Sequence, residues 1–236
     1  MQNISTTHIQ KLKNHLWVKS EKNEHEKSLW KKVEKFLKLF NSLPWIQCIC
    51  VCNSLAMNAT NKDSDIDLFI ISKTNRLWTA RIMMTLSMIL TWQRKNKYNH
   101  AWKFCLSFFI SEQNLDISEI ALENDVYLAY WIQTLVPIIN KNETFEKFQK
   151  ANSYQNIITP EKSDNSRITH LQSELKWVRV WNFIEKIFKS IFLPRTKKRF
   201  SQLWKPYWVI ITDTMLKFHN EDKRIIIRDQ ILQDSV

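Results

Sequence analysis

The sequence predicts an α/β (α+β) protein that ends in a C-terminal α-helical region. Three observations predict it. Short apolar runs with strand character occur at 46–52, 65–72 and 103–111. Between them, apolar residues recur at helical spacing. Beyond residue 118 the helical pattern dominates, with no internal repeat or low-complexity segment. A chain of 236 residues holds one large domain or two small ones. The division adopted is a core with its leading helix over 1–140 and a helical region over 141–236.

The elements follow in order. Leu29, Val33, Phe36, Leu37 and Phe40 line one side of an amphipathic helix over 24–41, with Lys and Glu between them. "IQCICVC" (46–52) alternates and reads as a strand. A turn and helix start follow at 53–60, then polar "NKDS", then the strand from Asp65 to Ser72. "RLWTARIMMTLSMILTW" (76–92) reads as a mostly buried helix, and "KFCLSFFIS" (103–111) as a third strand. Helices are expected over 119–135 and 143–151, with Pro137 between them, and "TPEKSDNS" (159–166) reads as a linker. A long helix is expected over 168–193, followed by basic "PRTKKRFSQ". The tail offers a short apolar run and a final helix.

Composition narrows the classes. The longest mostly apolar stretch, Ile82 to Trp92, has eleven residues, against about twenty for a bilayer span. The N-terminus is polar and resembles no signal peptide. A soluble, cytoplasmic protein without a transmembrane segment is expected. Net charge is +12, which suits nucleotides, RNA or an anionic membrane surface, although an AT-rich gene also enriches Lys and Asn. The basic, aromatic-rich stretch 176–199 fits RNA, a membrane surface or a solvated helix alike. Cys48, Cys50 and Cys52 alternate without Cys-x-x-Cys pairs or accompanying His, so they read as a buried reduced face and not as a zinc site.

The chain has no glycine and 11 tryptophans. At the usual frequency of roughly 7%, about sixteen glycines would be expected. Trp45, Trp92, Trp102 and Trp208 stand at turn-like sites where glycine's access to positive φ is normally used. The reading that follows is a gene with UGA as glycine, translated with UGA as tryptophan. Trp78 is expected to be authentic.

Asp65 and Asp67 carry the chemistry. Two residues apart on a strand, they point to one side, their Cα atoms roughly 6 to 7 Å apart, while Ile66 and Leu68 face the core. Two converging carboxylates repel unless a cation lies between them. Mg²⁺ takes one or two protein carboxylates plus substrate phosphates. Upstream, the first strand ends at Asn53-Ser54, whose hydroxyl and turn amides suit an anion.

This order, strand, small polar turn, helix, strand with Asp-x-Asp, resembles the nucleotidyltransferase superfamily with its DNA polymerase β-like fold, in which a Gly-Ser turn precedes Asp-x-Asp by about ten residues. "NSLAMNATNKDSDIDLFIISKTNRLWTAR" is similar to a bacterial group of nucleotidyltransferase domain-containing proteins, and the similarity extends through "KFCLSFF", "VPI" and "FHNEDKR". The resemblance implies a small mixed sheet flanked by helices. It implies NTP (ATP among the candidates) at Asn53 and Ser54, and Mg²⁺ at Asp65 and Asp67 as the catalytic pair. The acceptor could be a small molecule, a protein or RNA. Asn53 stands where the superfamily has Gly. A third carboxylate is expected on a later strand, but the strand 103–111 holds none; Glu112 and Asp116 follow it. Arg76 and Arg81 are candidates for phosphate or acceptor contact, with surface ion pairing as the simpler role. Lys103 and His219 have weaker claims of the same kind, and Asp63 reads as a turn residue. A catalytically inactive nucleotide- or RNA-binding module on the same fold is the alternative.

Overall fold

Ile46–Cys52 form β1, and all seven residues are buried. Burial on both faces marks a central strand, which explains the near-continuous apolar run. In the computed structural model, which describes residues 4–95, 101–153, 178–201, 209–218 and 222–233, β1 pairs antiparallel with β2 (Ile66–Ser72). β2 pairs in parallel with β3 (Phe104–Ser111) through the crossover helix α4 (Leu77–Leu90). β4 (Val136–Asn140) flanks β1, and β6 (Met215–Phe218) with β5 (Val209–Ile211) flanks β3. The six-stranded sheet runs β4-β1-β2-β3-β6-β5. Every pairing but β2–β3 is antiparallel.

Alternation splits the core into two layers. Cys48, Cys50, Cys52, Phe69, Ile71 and Phe108 face one layer. It is closed by α1 (Thr6–His15), α5 (Val126–Thr134), α6 (Thr144–Ala151) and α8 (Arg224–Gln233). Ile49, Val51, Ile66, Leu68, Ile70 and Phe109 face the other layer. There lie α2 (Glu24–Leu37), α4 and, more loosely, α7 (Val178–Phe200). The four cysteines are free, as a reduced thiol face requires.

Three expectations need correction. Pro137 does not separate two helices; it sits in β4, an edge strand, where a missing N–H breaks no ladder. The span 119–135 is not one helix but a 3₁₀ turn (Ser118–Ile120) and then α5, whose N-cap Asp125 accepts from Leu128 N. The basic stretch after residue 193 continues α7 to Phe200, through Pro194. The expected linker 159–166, the first residues of the helix expected from 168, Trp208 and His219 lie outside the described residues.

Glu26 anchors the route to the acidic strand. Its buried carboxylate accepts from Thr60 Oγ1 at 2.8 Å and from Thr60 N at 3.2 Å, and Lys19 lies 3.3 Å away. The loop between the short helix α3 (Asn53–Ala56) and β2 is thereby tied to α2.

Without glycine, the left-handed positions fall to other residues: Asn53, Asn58, Asn75, Asn124, Asn142 and Glu143, and also Trp17, Trp92 and Trp102. Asn tolerates this region; an indole-bearing residue does so poorly. Trp17 follows the C-cap of α1, and Val18 N bonds back to Lys13 O. Trp92 follows the C-cap of α4, and Gln93 N bonds back to Met88 O. Both are Schellman ends, whose left-handed residue is usually glycine. Both rings are 84% exposed and so gain little from packing. The glycine reading therefore has a backbone reason at Trp92 and Trp102, and Trp17 joins them. Trp45 has no positive φ and is buried against Trp181, with centroids 4.5 Å apart, so its place needs no glycine. Trp78 is buried as well.

Replacing Trp17 or Trp92 by Gly is expected to raise stability by about 1 kcal/mol each, measured by urea unfolding. A loss of stability would show that the indoles belong there. Peptide mass spectrometry of the natural protein reads the same positions directly.

Candidate functional site

The register of three strands builds the site. Cys52 of β1, Asp67 of β2 and Cys105 of β3 lie in one row across the sheet. Asp65, one step outside β2, falls on the same side as Asp67. One ligand atom each from Asp65, Asp67 and Cys105 lies within 4.8 Å of the others. Ile66 and Leu68 are fully buried on the opposite side and fix the strand. The convergence expected of the acidic pair is therefore present.

An internal cation already meets it. Lys95 Nζ lies 2.6 Å from Asp65 Oδ2. Asp67 has no such partner among the described residues. Burial and the neighbouring Asp65 charge push its carboxyl up to about 6, although Asn53 and the Cys105 thiol donate to it and Lys95 is near. Burial and the two carboxylates also push the Cys105 thiol well up, so it is a thiol at neutral pH.

Asn53 is the hinge of the site. It adopts φ 55° at the end of β1, and its Oδ1 accepts from Trp131 Nε1 at 2.9 Å. That bond turns its amide N–H₂ toward Asp67. Ser54 follows in the single turn of α3. On the far side of Asn53 opens a cavity of about 280 Å³, lined by Phe108, Tyr127 and Trp131 and floored by Lys217, Asp222 and Arg224. The floor is an ion network. Arg224 reaches Asp125 at 2.7 Å and Asp222 at 2.9 Å, and Lys217 reaches Asp222 at 2.9 Å. Burial opposes the Asp222 charge, yet Arg224 and Lys217 hold its carboxyl down to about 2.

The other residues singled out in the sequence lie elsewhere. Arg76 is buried at the start of α4, beyond the opposite end of β2, within range of the Glu185 charge. Arg81 lies on the other layer, stacked on Phe218 at 3.9 Å, with Nη1 donating to Leu106 O. Glu112 accepts from Thr74 N at 2.9 Å, and Asp116 from Ser118 N at 2.8 Å, both beyond the C-terminal end of β3. Lys103 donates to Trp92 O, and Asp63 sits in a turn with its N–H on Asn61. No carboxylate joins Asp65 and Asp67 among the described residues; Cys105 faces them instead. Lys95, Cys105 and Trp131 were not singled out. Only Cys105 left a signal, its position in the strand expected beside Asp-x-Asp.

No protein-family model, no curated protein and no solved structure matches this chain. No helix among the described residues is long and apolar enough to cross a membrane.

The raised Asp67 pKa sets a pH dependence. The folded protein binds this proton more tightly than the unfolded chain, so stability falls as pH rises from about 4 through about 6. Asp67→Asn is expected to stabilise the metal-free protein by about 2 kcal/mol at pH 7, with no gain near pH 4. Urea unfolding at the two pH values checks this; equal effects at both would contradict it.

Proposed function

We propose that this chain is an Mg²⁺-dependent nucleotidyltransferase, moving a nucleoside monophosphate from an NTP to an acceptor hydroxyl and releasing pyrophosphate. The observation that carries the reading is the convergence of Asp65 and Asp67 beside Asn53-Ser54 and a cavity. The donor set fits a hard cation through its two carboxylates; the Cys105 thiol is a poor Mg²⁺ ligand, so Asp65 and Asp67 would hold the ion. Bound there, Mg²⁺ would neutralise the triphosphate and the leaving pyrophosphate.

The chain's own residues do the rest. With Asp65 holding the ion, the Lys95 ammonium that now meets it would be free to meet a phosphate oxygen. Asn53 and Ser54 position the triphosphate, and Asn53 holds Asp67 through its amide. The acceptor oxygen bonds to the α-phosphorus, the bond to the β-phosphate bridge breaks, and the electron pair leaves with pyrophosphate. The hydroxyl proton goes to water.

A second reading has its own observation. Cys105 stands where a third carboxylate would act as base, which favours a module that binds nucleotide without turning it over. Two measurements separate the readings. A thermal shift with NTP and Mg²⁺ tests binding: at about a hundred times Kd the gain is about 2.7 kcal/mol, and Asp65→Asn/Asp67→Asn abolishes it. Its absence in the unmodified chain would refute both readings. Pyrophosphate release then tests turnover, and Cys105→Asp, which restores a carboxylate beside Asp67, is expected to raise it about tenfold or more. Binding without release in either form would select the module.

A further inference from the structure

Around α4 and the start of β3 lies a cluster of arginines without acids among the described residues. Arg81 is fixed on α4: its guanidinium lies 3.9 Å from the Phe218 ring and 5.7 Å from the Phe109 ring, and it donates to Leu106 O at 3.3 Å. Phe200 stacks on the same Phe218 with centroids 4.8 Å apart, which brings Arg199, at the end of α7, to this spot. Arg94 bridges the backbone of Phe104, two residues before Leu106. Arg81 and Arg94 are half-buried and Arg199 is exposed, so the cluster opens to solvent.

Three guanidiniums this close repel one another. Burial and the charges of Arg94 and Arg199 push the Arg81 guanidinium down to about 9, and burial and Arg199 lower Arg94 as well. Among the described residues none of the three forms a salt bridge. The contrast within this chain is sharp: buried Arg224 and Lys217 are both paired with carboxylates. Half-buried cations held together without a counter-charge are unfavourable unless something anionic joins them.

We propose that Arg81, Arg94 and Arg199 form a phosphate-binding site that receives the phosphate group of the acceptor. The acceptor role rests on the nucleotidyl-transfer reading; the phosphate binding does not. A phosphate offers several oxygens and up to two charges, which suits planar guanidinium forks better than a single carboxylate does. The site also adjoins the acidic pair along the chain: Arg94 precedes Lys95, whose ammonium meets Asp65, and Arg94 lies within electrostatic range of Cys105. Lys32, 5.6 Å from the Phe104 ring, extends the cationic surface at the same end of β3.

The test uses the full chain in chelator-containing buffer, so that no divalent cation contributes, with inorganic phosphate and pyrophosphate as probes. Pyrophosphate is expected to raise the melting temperature, and to do so equally in Asp65→Asn/Asp67→Asn. Arg81→Met, Arg94→Met and Arg199→Met are each expected to weaken that response about tenfold. Without anion each variant should melt at the same temperature as the unmodified chain or higher, because a repulsion has been removed. Arg199→Met, at an exposed position, keeps the test valid if Arg81→Met disturbs the packing on Phe218. Displacement of pyrophosphate by a short single-stranded RNA would assign the phosphate to a polynucleotide, and displacement by a sugar phosphate to a small acceptor; both support the site. No response to pyrophosphate, or a response in all three variants as strong as in the unmodified chain, would overturn it. A positive response here with no shift from Mg²⁺ and NTP would leave the phosphate site standing and reject the transfer reading.

Discussion

Asp67 is held in the sheet from both sides: its backbone pairs with Cys52 of β1 and with Cys105 of β3. That double pairing is the constraint on which the rest of the site depends. The backbone cannot shift away from Asp65, so the two carboxylates leave the strand on the same side. The parallel step from β2 to β3 needs a crossover, and α4 supplies it on the opposite layer. On the carboxylate side a cavity forms beside Asn53. Lys95 answers the charge of Asp65, and Asp67 is left to titrate near pH 6.

The two layers divide the work. On the carboxylate side, aromatic rings from β2, β3, α5 and α6 pack closely, with Phe69 touching Phe108, Trp131 and Phe148. Trp131 uses the other end of its indole to orient Asn53, so core packing and site geometry share one residue. The ion network of Asp125, Asp222, Arg224 and Lys217 ties α8 and β6 to the N-terminus of α5. On the opposite side, α7 reaches α4 through Glu185, which accepts from Trp78 N at 2.8 Å and Thr79 N at 2.7 Å. That bond caps α4 and leads the basic end of α7 toward Arg81.

Local patterns carried much of this fold. β1, β2, β3, α2 and α4 are legible because their apolar residues keep a single period over seven or more positions, and the side shared by Asp65 and Asp67 follows from the two-residue repeat. β4 was hidden by Pro137, which is tolerable only because the strand is an edge, a fact no local pattern contains. β6 is four residues long and joins β3 from a hundred residues away, so nothing nearby in the sequence marks it. α1 lies in a stretch whose polarity conceals two buried residues, Ile9 and Leu12. The site was half legible. Asp65, Asp67 and Asn53 declare themselves by spacing; Cys105, Lys95 and Trp131 reach them only through strand register and long-range packing. Arg76 and Arg81 were close in sequence but are carried off by the direction of α4.

The central claim is that a divalent cation with a nucleotide binds between Asp65 and Asp67. Paramagnetic broadening by Mn²⁺ with an NTP tests it most directly, read from the tryptophan indole N–H resonances by NMR. Trp131 Nε1 bonds to Asn53 and so stands beside the acidic pair. The account predicts that the Trp131 resonance is broadened at low Mn²⁺ and NTP, that Trp45, at the opposite end of β1, is far less affected, and that Asp65→Asn/Asp67→Asn removes the effect. Uniform broadening of the indoles, or a Trp131 signal untouched while Mn²⁺ binds elsewhere, would contradict it.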